Sequence, residues 1–128
     1  MKPKFNNSSP IYQQLIDMIK VLISKGDYAP GVKVSSVREL AVEFGVNPNT
    51  MQRALAKLEE MGYLYTERTS GRYVTKDLVV ISQLKSEILA DIMDEFVMKM
   101  QAAGIETADV VAYLKAYVER IENDESPC

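Results

Sequence analysis

The chain has 128 residues, 47% of them apolar and 26% charged, with a formal net charge of −3. That is the make-up of a soluble globular protein of one domain, or one small domain with an appendage. It has no histidine and no tryptophan, and its one cysteine is the last residue, Cys128. An intrachain disulfide framework and a thiolate metal cluster are thereby excluded. The commonest zinc ligand and the usual general base are missing too, which points away from an enzyme.

No apolar run approaches the ~20 residues of a membrane span. The opening "MKPKFNNSSP" has lysines without the apolar stretch of a signal peptide, so a cytoplasmic protein with no membrane partner is expected. The charge is unevenly spread. Residues 1–76 hold seven Lys and four Arg against seven acids, a net +4, whereas residues 77–128 hold three Lys and one Arg against eleven acids, a net −7. A basic module followed by an acidic one suggests two separate tasks.

In chain order, Ser9 and Pro10 predict a helix start, with Ser9 as cap and Pro10 at the first helical position. Ile11, Leu15, Ile16, Met18, Ile19, Leu22 and Ile23 follow as a helical stripe. "SKGDYAPG" is a turn, and "VKV" at 32–34 is long enough for one edge strand only. Ser36 with Glu39 three residues on fits a capping box for a second helix that buries Val37, Leu40, Ala41 and Phe44 and closes at Gly45. Asn47 and Pro48 then open a third helix, which buries Met51, Ala54, Leu55 and Leu58 and stops at Gly62. Two short capped helices joined by a glycine turn make a helix-turn-helix. Tyr63, Tyr65, Tyr73 and Val74 flank a polar tip of Arg68, Thr69, Ser70, Gly71 and Arg72, which reads as a β-hairpin. Together these elements predict a winged helix.

Beyond Asp77 the pattern becomes a long helix with Ile81, Leu84, Ile88, Ile92, Phe96 and Met100 on one face and Leu89, Met93 and Val97 beside them. Gly104 breaks it, and Thr107 can cap a last helix whose apolar positions run from Val110 to Ile121. "ENDESPC" is polar and expected to fray. The predicted fold class is mainly α (α+β): an N-terminal winged helix-turn-helix over 9–77, then a two-helix C-terminal dimerisation tail over 78–123.

The third helix carries Asn49, Thr50, Gln52 and Arg53 in its first turns and no carboxylate before Glu59. A helix entering the major groove end-first presents those positions to base edges. Asn and Gln match adenine, Arg takes guanine bidentately, and a threonine meets thymine or a phosphate. Arg38, in the first turn of the second helix, suits a crossing phosphate. Arg68 and Arg72 at the hairpin tip suit a minor groove or backbone. Taken singly, each is ordinary polar surface; the conjunction predicts double-stranded DNA as partner.

Residues 9–74 also resemble the winged-helix domain of the GntR family of bacterial transcription regulators, through PIYQQ at 10–14, G..APG at 26–31, S.REL at 36–40, VNPNT at 46–50 and the closing SGRYV. The resemblance implies DNA contacts from Arg38, Asn49, Thr50 and Gln52 and from the wing tip at Arg68, Thr69, Ser70 and Gly71, with Arg53 as an addition. "VNPNT" followed by "RA" and a short helical tail is similar to the YtrA-like subgroup, which implies a repressor of nearby ABC-transporter genes with a dimerising tail. Val34-Ser35-Ser36 stands where the family has Leu-Pro-Ser, and Thr69-Ser70-Gly71 where it has Gly-x-Gly. Gln52 replaces an arginine common in the family, so target sequences do not carry over.

One winged helix covers one half-site. The tail's apolar face, with Ile81, Leu84, Ile88, Leu89, Ile92, Met93 and Phe96, is therefore expected to pair with a second copy, giving a homodimer on an inverted-repeat operator. The alternative is that this helix folds back as core. The tail lacks room for a large ligand-binding or aminotransferase domain, so no cofactor is expected, and an unidentified small-molecule effector is left open. Asp91, Asp94 and Glu95 could clamp a hard cation, although a solvated acidic stripe is the plainer reading. Met93, Met98 and Met100 read as adaptable filler. A different class of function, a winged-helix protein-interaction module with an oligomerising tail, would be separated by salt, since only DNA binding releases phosphate counterions.

Overall fold

The computed structural model describes residues 3–123. The end of the polar C-terminal stretch, from Asp124 through Cys128, lies outside the described residues. The order is α1 (Ile11–Lys25), α2 (Val37–Phe44), α3 (Pro48–Glu60), β1 (Leu64–Glu67), β2 (Gly71–Val74), α4 (Leu78–Ala102) and α5 (Thr107–Glu122). The described residues form two compact units, divided inside α4 between Glu87 and Ile88.

In the first unit, α1 begins differently from the expectation. Pro10 is the N-cap itself, with ψ 144° and no side-chain cap bond; Ser9 supplies its carbonyl rather than its hydroxyl. The tie is made by buried Gln14, whose Oε1 accepts the Asn6 N–H at 3.0 Å while Nε2 donates to the carbonyls of Asn6 and Ser9 at 2.9 and 2.7 Å. A long amide can satisfy groups before the helix that a short serine cannot reach. Behind it, Leu15, Ile16, Ile19 and Ile23 are buried at the 3–4 residue spacing of one helical face.

The pair α2 and α3 follows its capping signals. Ser36 and Glu39 form the reciprocal box at 3.2 Å each way, and Gly45 closes α2 with φ 71°. That left-handed residue lets Val46 N–H reach the Ala41 carbonyl at 2.9 Å, so the chain turns within one residue. The Asn47 side chain then accepts from Asn49 N–H at 2.8 Å and Pro48 starts α3. Leu40, Phe44, Met51, Leu55 and Leu58 face inward with the α1 stripe, each contributing roughly 1.5–3 kcal/mol of burial.

Strands β1 and β2 are antiparallel, pairing Leu64 with Val74, Tyr65 with Tyr73, Thr66 with Arg72 and Glu67 with Gly71. Gly71 and Arg72, expected in the hairpin tip, thus belong to β2, and the turn is Arg68–Ser70. The expected edge strand is a single bridge, Lys33 to Tyr73, reinforced by Val34 N–H to the Arg72 carbonyl at 2.9 Å and Val74 N–H to the Val32 carbonyl at 3.0 Å. The first turns of α4 complete this core. Leu84 is 1% exposed, which removes it from the expected dimerisation face: its side chain is already covered within its own chain.

In the second unit, α4 ends at Ala102 and the chain reverses through Gly104, at φ 82°. Thr107 is not the cap of α5; Glu106 occupies that position without a side-chain cap bond. The Thr107 hydroxyl instead accepts from Gln101 Nε2 at 2.9 Å, joining the two helices across their turn. Among the described residues no helix is long and apolar enough to cross a membrane.

Candidate nucleic-acid interface

The inward positions of α3, Met51, Ala54, Leu55 and Leu58, leave Asn49, Gln52 and Arg53 outside and exposed, with Thr50 half-buried between them. The first turn contains no acid, and Pro48 contributes no N–H. Its surface is therefore amide, hydroxyl and guanidinium groups at the positive end of a helix dipole, a combination that attracts phosphate and can read base edges. The Arg53 guanidinium lies over the Tyr12 ring of α1, 4.5 Å from the centroid.

Arg38 is exposed on the first turn of α2. Its neighbour Glu39 is taken up by the capping box. Hydrogen bonding to Ser36, side chain before main chain, holds that carboxyl below its ordinary pKa, with Lys33 nearby adding to the effect. Among the described residues no carboxylate lies within 4.0 Å of Arg38, Arg53 or Arg68. Three unneutralised cations thus sit on α2, α3 and the wing.

At the wing tip Arg68, Thr69 and Ser70 are exposed, and Ser70 N–H closes the turn on the Glu67 carbonyl at 3.3 Å. Tyr73 donates its hydroxyl to Ser70 Oγ at 2.9 Å, and its ring stacks on Tyr65 with centroids 5.7 Å apart. Gly71 has φ 121°, a conformation that side chains rarely adopt, so its place in the wing is conformational. Between wing and α2, Lys33, Ser35, Ser36, Ser70 and Arg72 line an open groove of about 580 Å³.

Residues 11–74 match the family described as bacterial regulatory proteins, gntR family. The chain belongs to the GntR family. It is 31% identical over 119 residues, 93% of its own length and 98% of the relative's, to the uncharacterized HTH-type transcriptional regulator YhcF of Bacillus subtilis. It is 33% identical over 110 residues, 85% of each chain, to the HTH-type transcriptional repressor YtrA of the same organism. Among solved structures, a GntR family transcriptional regulator from Listeria monocytogenes superposes with a TM-score of 0.79 at 41% identity, over 88% of this chain and 98% of that one. The AraR DNA-binding domain in complex with operator ORX1 matches at TM-score 0.52 and 28% identity, over 56% of this chain and 93% of that one. This GntR protein is a DNA-binding transcriptional regulator, and its relatives are regulators rather than enzymes.

One residue expected at the interface of the GntR wing is engaged elsewhere. Arg72 turns inward: its Nε donates to Glu59 Oε1 at 3.1 Å and its side chain is 20% exposed. Thr66 Oγ1 donates to both Glu59 oxygens, at 2.8 and 2.9 Å. The bond from Thr66 first, and Arg72 after it, lower the Glu59 carboxyl pKa. Thr66 reads in the sequence as a plain strand former, and nothing local links it to Glu59. An acid in the last turn of a helix, against the dipole, was the available signal.

In the tail, Leu89, Ile92 and Met93 are 57%, 58% and 50% exposed, while Ile81, Ile88 and Phe96 are half-buried. Phe96, Met100, Tyr113, Leu114 and Tyr117 line an apolar hollow of about 430 Å³ in the second unit. Glu95, one of the three clustered acids, pairs with Lys99 at 3.0 Å. Among the described residues no group of three or more His, Cys, Asp or Glu is placed to hold a metal.

Proposed function

We propose that this regulator represses transcription as a homodimer on an inverted-repeat operator. Residues 9–77 form its DNA-binding domain and 78–123 its dimerisation tail. In this reading the tips of two α3 helices enter successive major grooves, with Asn49, Gln52 and Arg53 on base edges and Thr50 at a base or phosphate. Arg38 neutralises a phosphate, and Arg68, Thr69, Ser70 and Gly71 of the wing follow the backbone or minor groove.

The observation that carries the reading is the acid-free opening of α3, flanked by arginines that have no carboxylate within 4.0 Å among the described residues. AraR, whose winged domain is similar, is described in complex with its operator. The name of YtrA supports repression, and the YtrA-like resemblance extends it to neighbouring ABC-transporter genes. The exposed apolar residues Leu89, Ile92 and Met93 support pairing of two tails.

The test is selection of bound duplexes from a random-sequence pool at near-physiological salt, followed by transcription from a promoter carrying the enriched site. An enriched inverted repeat and reduced transcript are the expected results. Enrichment of a single half-site would remove the dimer; no enrichment by folded protein would turn the winged helix toward a protein partner.

A further inference from the structure

We propose that Glu59 is a positioning residue that fixes the wing against α3, so that the two DNA-facing elements hold one spacing. This rests on the reading of α3 and the wing tip as the DNA-facing surfaces.

Glu59 and Glu60 both stand in the last turn of α3, where the helix dipole disfavours a carboxylate. Glu60 resolves this locally, facing solvent with Lys57 at 3.5 Å. Glu59 does something different. It crosses to the hairpin and accepts from two side chains: the Thr66 hydroxyl on β1, shared between both its oxygens, and the Arg72 Nε on β2. Those two residues are directly opposite each other in the β1–β2 register. One carboxylate therefore straps a cross-strand pair to the end of α3.

The strap continues through the main chain. The Arg72 carbonyl accepts the Val34 N–H at 2.9 Å, and Ser36, two residues on, caps α2. A side chain at the C-terminal end of α3 thus fixes a hairpin whose tip carries Arg68, and through Arg72 it reaches the segment that leads to Arg38. A two-stranded hairpin is marginal alone and needs packing or ties to hold an orientation. The Arg72 bond is charge-assisted, and such bonds are shorter and stronger than neutral ones.

The proposal gives an outcome opposite to bare electrostatics. Removing a negative charge beside DNA should strengthen binding; releasing the wing should weaken it. Glu59→Gln keeps the shape and can still hold Thr66, but it loses the charge that fixes Arg72.

Two measurements decide this on the 128-residue chain. The first needs no DNA: amide hydrogen exchange over residues 66–74. Glu59→Gln should exchange at least several-fold faster there, with α1 and the α3 core amides unchanged. The second is hydroxyl-radical footprinting and affinity on the inverted-repeat duplex recovered by the selection above. Glu59→Gln should lose protection where the wing lies and bind roughly two- to fivefold more weakly, the scale of a partly screened pair, with its base preference in the α3 contacts kept. Arg72→Gln should give the same loss, and the double variant no more than either alone. Unchanged exchange would overturn the strap whatever the DNA result. Faster exchange with unchanged or tighter DNA binding would overturn its positioning role. Wild-type protein leaving no footprint from the wing would instead sink the reading on which the proposal rests, and the exchange result would still report on the strap.

Discussion

The guanidinium of Arg53 rests on the ring of Tyr12, 4.5 Å from its centroid, and so joins the acid-free N-terminal half of α3 to α1. An exposed arginine normally samples many rotamers, and ordering it at a base or phosphate costs conformational entropy. If Arg53 meets DNA as proposed, the Tyr12 ring would do part of that ordering in advance. Tyr12→Leu should therefore weaken operator binding by ~0.5–1 kcal/mol, the scale of an exposed cation–π contact, while Tyr12→Phe keeps most of the affinity. Fluorescence anisotropy with the selected duplex checks this; equal binding by Tyr12→Leu would show that the ring does not prepare Arg53.

Arg38 and Gln52 should separate into positioning and reading. Arg38 has no carboxylate within 4.0 Å among the described residues, so its charge is available to a phosphate. Arg38→Ala should weaken all duplexes alike and reduce the salt slope by about one ion. Gln52, an amide on the exposed face of α3, should behave otherwise. Gln52→Ala should cost ~1–3 kcal/mol on the preferred site and little on variants changed at one base pair. Titrations across salt and single-base variants distinguish the two. An Arg38→Ala protein that altered base preference would reverse the assignment.

What could be read from the sequence was whatever local rules encode. The capping box of Ser36 and Glu39, the Asn47–Pro48 start and the glycine turn at Gly45 depend on residues a few positions apart, and each is formed as expected. Ser9 and Thr107 show the limit. Both have cap chemistry, but Gln14 answers the groups before α1 and Gln101 engages the Thr107 hydroxyl. A longer side chain from another turn won each competition. Arg72 failed as a wing-tip cation because its partner lies 13 residues earlier, on α3. Periodicity also could not divide α4 by function. Leu84 and Ile92 have the same chemistry and the same stripe, yet one is buried and the other exposed.

That division gives a paired prediction. Leu84→Ala removes a fully buried side chain and should lower stability by ~2–5 kcal/mol, seen as a fall in Tm, while the folded fraction keeps its association state. Ile92→Glu places a charge on a residue that is 58% exposed and should leave the helical circular dichroism intact. Sedimentation should then show monomer in place of dimer, with binding to a full inverted repeat reduced toward that of one half-site. A dimeric Ile92→Glu protein would move the interface away from this face of α4.

Acid should release the wing before it unfolds the core. Thr66 and then Arg72 hold the Glu59 carboxyl below its ordinary pKa of 4.5. A carboxyl with a depressed folded pKa contributes stability that is present above the unfolded value and is lost as pH falls through the folded one. Because Glu59 is about one-third exposed and Arg72 one-fifth, solvent screening keeps the contribution within the ~0–1 kcal/mol of surface pairs. Wild type should accordingly exceed Glu59→Gln in Tm by a few degrees or less at pH 7. The difference should narrow below about pH 4.5, where the unfolded carboxyl begins to take up its proton. At still lower pH, as the folded carboxyl takes up its proton in turn, the curves should approach one another, with exchange at the wing amides rising in wild type alone. Melting curves from pH 7 to 3 give the comparison. A gap that widened on acidification would mean that Glu59 is strained in its charged form rather than held by Thr66 and Arg72.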